Sequence, residues 1–290
     1  MPMSLPLPTI ASRVMTFCPV SFPRTITRLQ GLLNNQNATA SVITQLLVTD
    51  PLLCAGVLGQ ANALKPCLSA AHAISSLGLE AVQGILRATE PVPEDRRQLL
   101  STWCDEANAT GLMVRLLVRY LRGRRRIMAL QNLDDESLHL LGLLHNLGHA
   151  VAIVSFPEQY RAAGAAHTLS SEPFRHQIKE ALGLAPGDLG YMLCRQWRLP
   201  EMISLTNRYF NHPHEIEDSE GATAAAVVHI SRTLVRALGM VGGHDRHLDP
   251  IAEQALGLLN LRSGECEALM LQFLDAWDDQ EDYEPGGGAL

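Results

Sequence analysis

The sequence has few aromatic residues, 5% of its 290 positions, and almost no stretch in which apolar and polar side chains alternate. Such alternation, with a period of two, is what a half-buried strand requires. Apolar residues recur instead at spacings of three and four over most of the chain, which is the period of one helical face. Hydrophobic residues make up 47% and charged residues 18%, enough for a buried core. We therefore predict an all-α protein.

Cysteine pairs and long hydrophobic runs are also missing. None of the six cysteines forms a C-x-x-C pair, which excludes the usual zinc fingers and the disulfide frameworks of small secreted proteins. No apolar run approaches the roughly 18 to 20 residues that span a bilayer. The prolines of the first eight residues do not fit a signal peptide. We expect a cytoplasmic protein without a membrane anchor.

A basic charge excess is absent as well. The net charge is -7, whereas coating nucleic acid or an anionic membrane depends on a net positive field. The sequence also has no G-x-S-x-G motif of serine hydrolases and no glycine-rich phosphate loop after a strand. We therefore expect no nucleic-acid or membrane partner and no bound cofactor.

The clearest break in the chain is the segment 91–97, which has two prolines and a cluster of charges. We predict a helical N-terminal subdomain over 13–92, a second helical subdomain over 93–243 and a pair of helices over 244–277. The acidic, glycine-rich segment 278–290 is predicted to be a disordered tail. Within the second subdomain the apolar pattern predicts one continuous helix from Glu136 to Phe156.

Several short motifs follow one another along the chain. In the first half they are Asp50-Pro51 within Val-Thr-Asp-Pro-Leu-Leu, Ala61-Asn62 after Leu-Gly-Gln, and Ala73-Ile74 before Ser-Ser-Leu-Gly. In the second half they are Leu141 to His149, then Phe156-Pro157 with Tyr160, Leu182-Gly183, and Trp197-Arg-Leu-Pro200. In order and spacing these motifs resemble those of the HDOD family, bacterial signalling domains related to HD-type metal phosphohydrolases. The resemblance implies a helical subdomain packed on a degenerate HD-like helical subdomain, and a regulatory role.

The same resemblance implies where a metal site would lie. HD phosphohydrolases hold a cation with a histidine on one helix, a His-Asp doublet on a second and an aspartate on a late helix. Here the doublet is His145-Asn146, no histidine occurs between His72 and His139, and no acidic residue occurs from 222 to 243. Arg232 stands near the expected aspartate, and its permanent charge would repel a cation. The resemblance therefore predicts a vestigial, metal-free pocket.

Five residues define this vestigial HD pocket: Asp105, His145, Asn146, His149 and Arg232. Asp105 or Glu106 could stand in for the missing first histidine. His145 and His149 have the i, i+4 spacing of a zinc pair, but a hydrogen-bonded structural role for His145 is the favoured interpretation. Arg232 either forms an internal ion pair with a carboxylate such as Asp105 or points to solvent.

A second candidate is an arginine cluster that ends a predicted helix from about Gln98 to Arg122. It has two interpretations, a patch that receives a phosphate, a cyclic dinucleotide or an acidic protein surface, or a solvated helix end whose cations complement the helix dipole. Its members are Arg115, Arg119, Arg122, Arg124, Arg125 and Arg126.

The sequence thus predicts a non-catalytic signal-transduction module that acts through protein contacts. A cyclic-dinucleotide sensor that does not hydrolyse its ligand is one alternative. A residual metal-dependent phosphohydrolase that uses His145, His149 and Asp105 is another.

Overall fold

The fold is that of a computed structural model that describes residues 5–35, 38–124, 126–127, 129–170, 172–245 and 247–282, with side chains up to residue 278. In these ranges the chain forms sixteen α-helices and one pair of two-residue strands, so the all-α prediction is confirmed. The helices are α1 (Leu7–Met15), α2 (Pro23–Asn34), α3 (Ala40–Leu47), α4 (Pro51–Asn62), α5 (Ala70–Leu77), α6 (Leu79–Ala88), α7 (Arg97–Gly123), α8 (Asp135–Leu143), α9 (Leu147–Ser155), α10 (Pro157–His167), α11 (Phe174–Leu182), α12 (Pro186–Gln196), α13 (Glu201–Tyr209), α14 (Ser219–Ala237), α15 (Glu253–Leu258) and α16 (Ser263–Asp282).

The start of α4 shows how local sequence sets a helix boundary. Pro51 occupies the first helical position, where its missing N–H costs nothing, and the Asp50 carboxylate accepts from Leu53 N at 3.0 Å. Ser21 Oγ donates to the same buried carboxylate, and burial raises the pKa of Asp50 although this hydrogen bond opposes the rise. Ser21 lies in β1 (Val20–Ser21), which pairs in parallel with β2 (Glu90–Pro91). The Asp50 side chain therefore links the start of α4 to the paired strands β1 and β2.

The 27-residue helix α7 is the axis on which the second half of the chain packs, with α8, α14 and α16 against it. Its approach to α8 is close because Gly111 faces Gly142. A Cβ atom added to Gly142 would lie 2.6 Å from the Cα atom of Gly111. The two helix backbones are therefore in direct contact, and this contact positions the end of α8 beside α7.

The two halves of the chain are joined at the first turn of α8. Glu136 accepts from Ala71 N at 2.9 Å and from Ser69 Oγ at 3.2 Å, and Ser137 Oγ donates to Leu68 O at 2.6 Å. These bonds place the carboxylate of one helix at the N-terminus of α5, where it also complements the helix dipole. The predicted segments 13–92 and 93–243 thus pack on each other, and the boundaries proposed at 92 and 243 stay predictions.

Several predicted elements differ from the structure. The continuous helix predicted from Glu136 to Phe156 is wrong, because α8 and α9 are separated by the turn 144–146 and bent by 42°. The disordered tail predicted from 278 is wrong up to Asp282, where α16 ends, and 283–290 lie outside the described residues. Helices α1 and α10 and the two-residue strands were not predicted, since none of them carries a long periodic pattern.

In the described ranges no single helix combines the length and apolar character needed to cross a membrane. The bent pair α8 and α9 reaches that length and composition only when its two helices are taken together.

Candidate functional site

The turn between α8 and α9 carries His145 and Asn146, and an asparagine from another helix holds it. Asn207 on α13 donates from Nδ2 to Leu144 O at 2.6 Å and to Ile203 O at 3.1 Å, and its Oδ1 accepts from Leu147 N at 3.0 Å. From the other side, Trp103 Nε1 on α7 donates to Asn146 O at 3.2 Å. The break is therefore built by side chains that satisfy backbone groups left over at two helix ends.

His145 is fully buried in this turn and is neutral. Its Nδ1 lies 2.6 Å from Gly142 O, and its ring packs edge-on against Phe210 with centroids 5.1 Å apart. Burial, aided by the charge of Arg232, lowers the pKa of His145 to about 3. Because Nδ1 faces a carbonyl it carries the proton, which leaves Nε2 as a buried acceptor without a hydrogen-bond partner in the described chain.

Next to His145 lies a four-residue charge network, made of two arginines of α14 and two carboxylates from elsewhere. Arg232 Nε lies 2.7 Å from Glu106 Oε1, and its Nη2 lies 3.2 Å from Asp245 Oδ2. Arg236 Nη1 lies 3.0 Å from Glu106 Oε2, and its Nη2 lies 3.3 Å from Asp245 Oδ1. All four residues are buried, so two positive and two negative charges balance inside the protein.

The electrostatics of this network keep its carboxylates ionised. Burial alone would raise the pKa of Glu106 and of Asp245, but Arg232 and Arg236 outweigh burial and hold both pKa values below their usual range. The opposite charges in turn raise the pKa of Arg232 despite its burial. Buried charges without such partners would be strongly destabilising.

The loop after α14 covers this network. Arg236 Nη2 donates to Asp245 O at 2.8 Å and to His247 O at 2.6 Å, while Gly243 N donates to Thr102 Oγ1 at 3.0 Å. Gly242 N also donates to Glu106. The space beside His145 is thus occupied by the chain's own charged side chains and by the backbone of this loop.

The structure brings together some of the residues of the vestigial HD pocket and not others. Arg232 does form an internal ion pair, but the prediction of Asp105 as its partner is wrong, because Asp105 lies on the exposed face of α7 and Glu106 points inward. His145 and His149 do not share one helix, since the turn 144–146 separates them. His149 lies buried among Tyr160 and Phe174, and burial lowers its pKa to about 4.

Two members of the network were missed by sequence reasoning. Asp245 lies two residues beyond the segment 222–243, where the family's late aspartate was expected. Arg236 follows Arg232 by one helical turn on a helix that is almost entirely buried. Two arginines four apart on such a helix need buried anionic partners, and that signal could have found the network.

A divalent cation does not fit this arrangement. The two nearby carboxylates are both engaged by arginines, and Arg232 would stand beside the cation. Among the described residues, no group of three or more His, Cys, Asp or Glu side chains has the arrangement of a metal site. The pocket as folded holds a neutral ion-pair network that joins α7, α14 and the following loop.

The arginine cluster is largely engaged within the chain. Arg119 pairs with Asp135, and Arg126 pairs with Glu265 of α16 at 2.7 Å, a carboxylate that also accepts from Tyr120 at 2.6 Å. Arg124 lies over the ring of Tyr120 at 3.6 Å and its Nε is 4.0 Å from Glu265 Oε1, while Arg122 donates to the carbonyls of Leu130 and Leu133. Arg115 is partly buried, with Nε unpartnered in the described chain, and Arg125 lies outside the described residues. A free anion would therefore compete with carboxylates already in place.

Comparison with known families agrees with the motif order. The family model described as HDOD domain matches residues 20–213. This span contains the joint between the two halves and the His145-Asn146 turn, and it ends before α14, so three of the four charged residues of the network lie outside it.

Individual relatives are distant. An uncharacterised protein of Treponema pallidum (strain Nichols) is 26% identical over 209 residues, which is 68% of this chain and 38% of that protein. A response regulator, MmoQ, from Methylococcus capsulatus str. Bath superimposes with a TM-score of 0.64 at 19% identity, covering 87% of this chain and 98% of its own. An HDOD domain protein of unknown function from Geobacter sulfurreducens gives 0.50 at 19% identity, with 94% of each chain covered. These structural likenesses show a shared fold.

Proposed function

The chain belongs to the HDOD domain family, and we propose that it is a non-catalytic signal-transduction module that acts through contacts with a partner protein in the cytoplasm. The observation that carries the proposal is the buried pair Arg232 and Arg236, neutralised by Glu106 and Asp245 next to His145. In a phosphohydrolase this volume would have to hold a cation and an attacking water.

The argument against hydrolysis rests on charge. A catalytic cation needs ligands that are free to bind it and a position open to water. Here Glu106 is engaged by two guanidiniums and by Gly242 N, and the loop that carries Asp245 covers the network. The network gives α7, α14 and the loop a fixed arrangement, as suits a module that presents a surface. The description of MmoQ as a response regulator agrees with a signalling role without assigning a partner here.

Metal content and hydrolysis test the first half of the proposal. The purified chain, incubated with Mn²⁺ or Fe²⁺ and then desalted, is measured by elemental analysis and assayed on bis(p-nitrophenyl) phosphate. We expect far less than one metal per chain and turnover no higher than that of His145→Ala. Exposed His176 provides the matched control variant, His176→Ala. Stoichiometric metal and turnover that are lost in His145→Ala but kept in His176→Ala would overturn the proposal.

Capture and titration of partner proteins test the protein-contact part of the proposal. Tagged chain is used to capture proteins from the organism that produces it, and each reproducible candidate is purified and titrated against the chain by calorimetry. We expect at least one candidate to bind in a saturable one-to-one or two-to-two manner. If none does so across several growth conditions, the protein-contact part of the proposal fails while the result on hydrolysis stands.

A further inference from the structure

Three helices of the second half end in the same way, with a residue in left-handed conformation one position beyond the C-cap. At the ends of α12, α14 and α15 this residue is Arg198 (φ 54°), Gly239 (φ 90°) and Asn260 (φ 45°). In each, the following N–H returns to the carbonyl five residues earlier: Leu199 N to Cys194 O at 2.9 Å, Met240 N to Val235 O at 3.3 Å and Leu261 N to Leu256 O at 3.0 Å. This is the Schellman motif.

Arg198 is the exception among the three. Glycine is preferred at this position because it has no Cβ, and asparagine is the next choice, whereas an arginine there is strained. Its side chain is exposed, and no carboxylate of the described chain pairs with it. A strained residue whose side chain gives nothing to the fold is a candidate for a functional role.

Arg198 lines an open groove of about 310 Å³, where the end of α12 meets α4 and the loop before β1. That volume is at the lower end of ordinary ligand pockets. α4 is almost wholly buried, and Gln60 is its exposed residue in this groove. The groove is lined by Pro19, Gly56, Gly59, Gln60, Ala63, Gln196, Trp197 and Arg198.

The groove brings together a cation, an aromatic ring and two amides. The Trp197 indole packs on Phe17 with ring centroids 5.8 Å apart. Gln196 donates from Nε2 to Met15 O, and its Oε1 is shielded from solvent and accepts no hydrogen bond in the described chain. An acceptor of this kind costs free energy until a donor reaches it.

We propose that this groove binds a small anionic ligand with a planar ring, namely a nucleotide. The Arg198 guanidinium would take the phosphate through two parallel hydrogen bonds, and the Trp197 indole would pack on the base. Gln60 and Gln196 would bond the edge of the base. The inference goes beyond the proposed function and is independent of it, because the groove lies apart from the Glu106 network. The Arg198 guanidinium is not paired with a carboxylate of the described chain, so it is available to a ligand in this groove.

The test follows the three indole N–H signals of Trp103, Trp197 and Trp277 by two-dimensional NMR, with the Trp197 signal assigned from Trp197→Phe. AMP, GMP, CMP and UMP are titrated separately, beside inorganic phosphate and the acidic peptide acetyl-Gly-Glu-Gly-amide. We expect at least one nucleotide to shift the Trp197 signal to saturation, more tightly than phosphate or the peptide. The proposal would be overturned if no nucleotide shifted the Trp197 signal, even at ten times the usual millimolar concentration. It would also be overturned if phosphate or the peptide bound as tightly as the nucleotides or more tightly.

A matched pair of variants separates binding from folding. Arg198→Gly removes the guanidinium and relieves the left-handed strain, so we expect a Tm raised by roughly 1–3 °C together with nucleotide affinity at least about tenfold weaker. Asn260→Gly changes the equivalent position of α15 and should leave affinity unchanged. Unchanged affinity in Arg198→Gly would contradict the proposal, since its folding is verified by the same melting curve.

Discussion

Glu106 on α7 and Arg232 on α14 form a buried ion pair, with 2.7 Å between Oε1 and Nε, beside a neutral His145. Together with Arg236 and Asp245 the pair closes a four-charge network that is almost entirely buried. Glu106 precedes Arg232 by 126 positions and Arg236 by 130 positions along the chain. Through Asp245 the network also holds the loop that follows α14. The arrangement of α7, α14 and this loop therefore depends on all four charges being present.

Removing Arg232 should destabilise the protein strongly. Arg232→Ala leaves Glu106 and Asp245 with one guanidinium between them, and breaking a buried ion pair costs on the order of 3–5 kcal/mol. Urea unfolding followed by circular dichroism measures the loss. The matched control is Arg195→Ala, whose surface pair with Glu201 should contribute less than about 1 kcal/mol. Similar losses in both variants would show that the network is not structural.

How far the sequence predicts this site depends on helix phase. Consecutive residues of an α-helix point about 100° apart, so Asp105 and Glu106 face different surroundings although both are acidic. The apolar pattern predicted α7, and the family motifs placed His145-Asn146 in the second half of the chain, but neither predicted the turn at these two residues. They did not decide which of two neighbouring carboxylates turns inward, because that depends on the packing of α7 against α14 and α8. Asp245 was out of reach because it lies in a loop without periodicity.

In the fold, too, some features follow from local sequence and others depend on distant residues. The start of α4 at Asp50-Pro51 and the break between α5 and α6 at Gly78, with φ 78°, follow from local sequence. The break between α8 and α9 does not follow from local sequence, because the apolar pattern continues through it without interruption. It is held by Asn207, sixty residues away from Leu147. Hydrogen bonds from a distant segment therefore set where these two helices end, although the local apolar pattern favours one continuous helix.

Asn207→Ala should therefore loosen the turn that carries His145. The change removes two hydrogen bonds to Leu144 O and Ile203 O and leaves Leu147 N without its acceptor in the interior, so a loss of about 2–3 kcal/mol is expected. Hydrogen exchange of the amides of 144–147 should speed up more than that of α16. Gln272→Ala, at an exposed position of α16, serves as the control and should change neither quantity. Unaltered exchange at 144–147 would contradict the role given to Asn207.

Stability should fall as the pH drops below about 6.5. Burial lowers the pKa of His145 to about 3 and of His149 to about 4, so the unfolded chain binds protons first. The contribution of each neutral histidine is fully present above its unfolded pKa and is lost as the pH falls towards the folded value. Each adds up to about 1.4 kcal/mol per pH unit to the slope between pH 6 and 4. Urea unfolding at a series of pH values measures this slope.

The variant His149→Phe isolates one of these histidines. His149 lies among aromatic rings, so phenylalanine keeps much of the packing while removing the titrating group. We expect its slope between pH 6 and 4 to be shallower by up to about 1.4 kcal/mol per pH unit. His176→Phe, at an exposed position, should keep the wild-type slope. An unchanged slope in His149→Phe would mean that His149 is not buried in its neutral form.

Gly148→Ala should be the most damaging glycine change in the HD-like half. A Cβ atom on Gly148 would lie 1.7 Å from Pro186 O, a backbone atom that can move only if α12 shifts away from α9. The contact is also close from the α12 side, where a Cβ built on Gly190 would lie 3.0 Å from Gly148 N. We expect the variant to lose several kcal/mol of stability or to fail to fold, as overpacking against a rigid neighbour does. Gly84→Ala in α6 is the matched control, because a Cβ there has no atom within 4 Å and alanine favours a helix by roughly 0.5–1 kcal/mol. Thermal melting of the two variants should therefore give shifts of opposite sign, and a neutral Gly148→Ala would show that α9 and α12 pack less closely than described.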